Sequence, residues 1–167
     1  DGTTAQMCGN GMRCLAKYVT DKKLIDKKMF SVKTGAGVIK PEILEDGNVK
    51  VNMSSPILES SKIPFKGAEN LNQSISVGDK TFVINAVSMG NPHCVIFTDE
   101  DVYEMAKTYG PLLESHEMFP EKTNVEFVKI KSKSEVDFCV YERGCGITLA
   151  CGTGACASIV AAVLNNL

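Results

Sequence analysis

The sequence predicts a mixed α/β protein built as two pseudo-symmetric halves. Short β-rich runs separated by Gly or Asp-Gly breaks alternate with a few helix-like segments. A Ser, Pro, Lys and Gly stretch without periodicity interrupts the chain after residue 53. MCGNGMRCLAKYV near the start is echoed by ACGTGACASIVAAV near the end, each a Cys-Gly-x-Gly turn that feeds an apolar helix.

The elements follow in order. Behind the first Cys-Gly turn, Met12, Leu15, Ala16 and Val19, with Leu24 less regularly spaced, predict a helix. FSVKT, VIKPEIL and VKVNM, broken by GAG and EDGN, predict a strand meander in which Pro41 marks an edge or a bulge. Residues 1–53 are assigned to the second half of a first domain, 54–72 to a linker and 73–167 to a second domain. In that second domain, SISVGDKTFVINAVSMGNPHCVIFT predicts two or three strands. DEDVYEMAKTYGP predicts a helix with an acidic first turn and a stop at Gly110-Pro111. NVEFVKIK and EVDFCVYER predict two further strands, and the closing run a helix.

Composition narrows the function. The net charge is only −2, with basic residues scattered among acidic ones, so no basic stripe marks a nucleic-acid groove. No run approaches the roughly 18 apolar residues of a membrane helix. The partner is expected to be a small molecule and the location cytoplasmic, since no basic n-region and apolar h-region open the sequence. Seven cysteines cannot complete a disulfide framework, and none has zinc-site spacing, so no metal is expected. Most of them read as small buried hydrophobes.

Cys8 and Cys151 are different, because each stands where a helix cap is ordinarily Ser, Thr, Asp or Asn. A helix start leaves unpaired N–H groups and carries roughly half a positive charge. Gly9, Gly11, Gly152 and Gly154 let a carboxylate or phosphate approach those amides. A thiol at such a place has its thiolate stabilised and can serve as base or nucleophile. Two of them facing one ligand suit inversion of a carbon next to a carboxylate, which needs a base on one face and an acid on the other. The competing readings are weaker. Gly9-Asn10-Gly11-Met12-Arg13-Cys14 lacks the last glycine of a dinucleotide fingerprint, and no Gly-Lys-Ser/Thr is present. His93 can activate a thiol in a cysteine hydrolase but has no Cys-His signature, and His116 in a charged loop reads as a surface residue.

MCGNGMRC, GNPHCV, TNVEFV and YERGCGITLACGTGACA, in that order, closely resemble the motifs of the diaminopimelate epimerase family. The resemblance implies cofactor-independent interconversion of LL- and meso-diaminopimelate on the bacterial path to lysine and peptidoglycan. It implies two α/β (α+β) domains, each a curved β-barrel-like sheet around a central helix, with this chain covering part of the first and most of the second. A preceding half-domain and further strands after the last helix are implied as well. Cys8 and Cys151 would be the acid and base. Gly9, Asn10, Gly152 and Thr153 would offer backbone amides to the carboxylate of the reacting carbon. Asn91, Asn124, Glu142 and Arg143 match the residues that hold the amino groups and the distal carboxylate, with His93 in a supporting role. Arg143 can grip a carboxylate bidentately and Glu142 can accept from an ammonium.

A proline or hydroxyproline racemase is disfavoured, because related racemases carry histidine where this chain has Asn10. A catalytically silent carboxylate-binding fragment is the alternative from another class. Cys145 is an extra thiol in the ERGCG turn, and a homodimer is left open.

Overall fold

The structure, a computed structural model, describes residues 7–167. Residues 1–6, which the sequence assigns to the first domain, lie outside the described residues. The chain divides into two compact units, Gly2–Ser55 and Pro56–Leu167.

In the first unit, α1 (Gly9–Asp21) is followed by four short strands. β1 (Val32–Thr34) pairs antiparallel with β2 (Gly37–Ile39), and β3 (Pro41–Ile43) with β4 (Val49–Val51). Every strand of a two-stranded sheet is an edge, which is the setting Pro41 requires. Met12 of α1 joins Met7 and Ile39 in a small core, with Val32, Val51 and Met53 packed against it. The helix is shorter than the apolar spacing suggests. It ends at Asp21, while Leu24 is exposed and Leu15 partly so.

The second unit is a six-stranded sheet in the order β10-β9-β8-β7-β6-β5. Its strands are β5 (Gln73–Val77), β6 (Lys80–Ser88), β7 (Pro92–Phe97), β8 (Asn124–Ser132), β9 (Glu135–Glu142) and β10 (Gly146–Ile147). All neighbours are antiparallel except β7 and β8, which the crossover helix α2 (Val102–Glu114) connects. Register sorts the side chains into two faces. Ala86, Cys94, Val125 and Tyr141 stand in one cross-strand row, and Asn85, Val95, Glu126 and Val140 in the next. The first row belongs to the main core, with Phe82, Phe127 and the α2 residues Met105, Ala106 and Leu113. α3 (Gly152–Leu164) packs on β6, β7 and β8 from the other face through small residues, Ala157, Ser158 and Ala161. Both faces being covered explains why β7 and the first half of β8 are buried almost throughout.

One expectation is corrected by the structure. α2 does not stop at Gly110-Pro111 but runs through them to Glu114. Leu113 has to reach the core, and Gly110 lies so close to Tyr141 that a Cβ would stand 2.7 Å from that side chain. The glycine is there for close approach rather than termination. The boundary between the units, between Ser55 and Pro56, falls within 54–72, and in that stretch Ile63 and Phe65 are members of the second unit's core, with Phe65 packed on Phe119 at ring centroids 5.0 Å apart. Their spacing has no strand or helix period, so the burial was invisible to pattern.

Candidate active site

Each Cys-Gly turn folds as the N-terminus of a helix with the cysteine as its cap. Cys8 has extended backbone at φ −141°, and its Sγ accepts from Gly11 N at 3.2 Å. Cys151 repeats the geometry at φ −128°, with Sγ accepting from Gly154 N at 3.4 Å. In both, sulfur does what a Ser or Asp oxygen does at a cap. Cys8 is exposed and is followed by buried Gly9 and exposed Asn10 in the first unit.

Cys151 is buried in the second unit. Burial pushes its thiol up to about 11, with Glu126 and Glu142 adding in the same direction and the Thr153 hydroxyl and Gly154 amide opposing. At Cys151 desolvation of the charged form outweighs the two donors.

The second unit brings most of the remaining candidates together. His93 Nδ1 lies 2.7 Å from Glu126 Oε1, and its Nε2 lies 3.1 Å from Asn91 Oδ1. Asn91 Nδ2 donates to Thr153 Oγ1 at 3.3 Å, and that hydroxyl is 3.5 Å from Cys151 Sγ. Asn124 acts as a clamp. Its Nδ2 donates to Pro92 O at 2.8 Å, and its Oδ1 accepts from Arg143 N at 3.0 Å. That leaves one amide hydrogen and one lone pair on Asn124 for other partners. Glu142 accepts from the Thr148 hydroxyl, and Arg143 Nη1 donates to Glu121 O at 3.2 Å. Gly144 takes φ +74° in the turn behind them. Cys145 is exposed in the same turn.

Sequence reasoning missed two carboxylates. Glu126 is fully buried and pairs with His93, and Glu114 accepts from Gly144 N at 2.8 Å while facing Lys122 at 3.6 Å. The signal for Glu126 was a lone acid inside the apolar run NVEFV; for Glu114 there was none before the helix proved longer. His116, expected at the surface, is half-buried, and its Nδ1 accepts from Met118 N at 3.3 Å. Among the described residues, no group of three or more His, Cys, Asp or Glu is arranged to hold a metal ion, and no helix is long and apolar enough to cross a membrane.

The profile described as Diaminopimelate epimerase matches residues 1–59 and 85–167, thus spanning both cysteine caps. The chain belongs to the diaminopimelate epimerase family. It is 45% identical to a diaminopimelate epimerase of Bacillus cereus over 99% of this chain and 60% of that protein. It is 47% identical to one of Heliobacterium modesticaldum over 99% of this chain and 62% of that protein. The chain therefore spans about 60% of the length of the curated relatives it matches. In fold it is similar to a hydroxyproline epimerase from Agrobacterium vitis, solved with trans-4-hydroxy-L-proline, at TM-score 0.68 and 15% identity over 96% of this chain and 52% of that one. It is similar as well to a probable proline racemase from Agrobacterium radiobacter, with bound carbonate, at TM-score 0.71 and 13% identity over 96% of this chain and 53% of that one. This chain thus shares its fold with about half of each of these two proteins despite quite different sequence.

Proposed function

We propose that this chain supplies both proton-transfer cysteines for cofactor-independent epimerisation of LL- to meso-diaminopimelate. The observation that carries the reading is the matched pair of sulfur-capped helix starts at Cys8 and Cys151. Backbone amides at Gly9, Asn10, Gly152 and Thr153 receive the carboxylate next to the reacting carbon, where the helix ends favour negative charge. Such donors are worth about 3 kcal/mol each when aimed at developing charge. Cys8 and Cys151 act as the acid and base, one as thiolate and one as thiol. Asn91, Asn124, Glu142 and Arg143 recognise the amino groups and the far carboxylate. His93 supports Cys151 rather than touching substrate, and a cytoplasmic setting suits reduced thiols.

The test is deuterium incorporation from D₂O at the α-carbon of diaminopimelate, with proline and hydroxyproline as parallel substrates. Incorporation into diaminopimelate that disappears in both Cys8→Ala and Cys151→Ala is expected. Binding without incorporation leaves a silent carboxylate binder, and incorporation only into the cyclic amino acids leaves a racemase of the other type.

A further inference from the structure

Glu126 lies in the middle of the sheet on β8, wholly buried, with Oε2 unpartnered and Oε1 against His93 Nδ1 at 2.7 Å. From there His93, Asn91 and Thr153 form a line of hydrogen bonds that ends 3.5 Å from the Cys151 sulfur. Hydrogens can be arranged along that line in two ways. In one, Glu126 is a bare carboxylate accepting from Nδ1–H of a neutral His93. Nε2 then carries a lone pair, Asn91 turns its NH₂ toward it, and the Thr153 hydrogen goes to the Asn91 oxygen instead of the sulfur. This leaves a net negative charge in a site closed to water, with one carboxylate oxygen unpaired, which is costly. In the other, one proton is held between Oε1 and Nδ1 and another sits on Nε2, so the pair is net neutral. Nε2–H donates to Asn91 Oδ1, Asn91 Nδ2–H donates to Thr153 Oγ1, and the Thr153 hydrogen is left for sulfur. Burial and the unpaired Oε2 select the second arrangement, which agrees with the orientation of the Asn91 amide.

We propose that Glu126 is a positioning residue for Cys151: by holding a proton against His93 Nδ1, it commits His93, Asn91 and Thr153 to donate in one direction, ending at the Cys151 sulfur. The inference rests on the reading of Cys151 as a proton-transfer thiol. The ionisable groups facing that thiol are Glu126 from β8, His93 from β7 and Glu142 at the end of β9. When Cys151 releases its proton, Thr153 stabilises the thiolate without moving.

The tests need no turnover. The chain has two histidines, so ¹⁵N-histidine NMR with His116→Asn as the assignment control reads His93 directly. A protonated Nε2 at neutral pH is expected, and an unprotonated, pyridine-type Nε2 overturns the proposal. The second readout is the rate of Cys151 alkylation by iodoacetamide, measured peptide by peptide across pH. Thr153→Val should slow it about tenfold at fixed pH, the effect of one lost donor to an anion, and Thr153→Ser should restore it. Glu126→Leu should slow it as well, and Glu126→Gln, whose amide N–H can replace the acid proton, should restore most of the rate. No change, acceleration, or failure of Gln to restore the rate overturns the proposal. If a variant does not fold, the NMR of the unmodified chain still decides. Lack of deuterium incorporation removes the proposed function and leaves these measurements standing.

Discussion

Gly154 presses against Glu126: a Cβ at position 154 would stand 2.7 Å from Glu126 Oε1, closer than real Cβ atoms approach. The carboxylate is fixed in the middle of a buried strand, so the helix has to yield. Gly154→Ala should destabilise the protein by about 1–3 kcal/mol, read as a lower urea midpoint. Gly11→Ala is the matched control. Its Cβ would meet only the Cys8 side chain, at 3.3 Å from Sγ and 3.6 Å from Cβ, and the gain in helix propensity, about 1 kcal/mol, offsets that contact. Equal losses at the two glycines would mean that the cap, rather than Glu126, sets the requirement.

Cys151 should be the slow thiol. At pH 8, exposed Cys8, Cys14 and Cys145 should alkylate first, and the Cys151 rate should climb toward pH 11. The sign for stability follows from the same shift. An acid whose folded pKa lies above its unfolded value binds more protons when folded, so its contribution is whole below about 9 and is lost as pH rises toward about 11. Cys151→Ala should flatten the fall in stability over that window by about 1–2 kcal/mol in urea titrations at its two ends.

Adjacent residues of α2 should respond in opposite directions. Gly110→Ala favours helix in isolation, yet the collision with Tyr141 should lower Tm. Pro111→Ala returns a backbone N–H inside the helix and removes a ring that crowds the preceding turn, so it should raise Tm. A rise for both would mean that Tyr141 relaxes freely.

Glu114 ties the end of α2 to the turn that carries Glu142 and Arg143, through Gly144 N. Glu114→Ala should loosen that turn by removing a hydrogen bond to a charged acceptor, costing about 1–3 kcal/mol. On the proposed function, steady-state kinetics with diaminopimelate should show a raised KM and a nearly unchanged kcat. A fall in kcat alone would argue that the turn takes part in the chemical step.

Much of this architecture was legible in the chain. The Cys-Gly-x-Gly echo marked both helix caps, because a cap position and its glycine neighbours lie within four residues of one another. The alternation of Phe138 and Val140 with Asp137 and Cys139 located a strand but not its burial, since Cys139 and Tyr141 face the α2 core while Val140 turns the other way. Non-local facts stayed hidden. Glu126 meets His93 across 33 residues, and only the parallel register of β7 and β8 reveals the pair. The extra turn of α2 depends on Leu113 finding the core and Gly110 finding Tyr141, a tertiary decision that overrode the local Gly-Pro stop.

The single parallel junction, β7 beside β8, has a kinetic consequence. β5, β6 and β7 join through short connections, as do β8 and β9, so each group can assemble from near neighbours. Joining the two groups requires α2 to cross between them, which is the most expensive loop closure in the sheet. His93 and Asn91 sit on one side of that seam and Glu126 on the other, so the hydrogen-bond line to Cys151 cannot exist in a half-assembled unit. Slow-exchanging amides along β7 and β8 should therefore appear together with the His93–Glu126 pair, as the last cooperative step of folding.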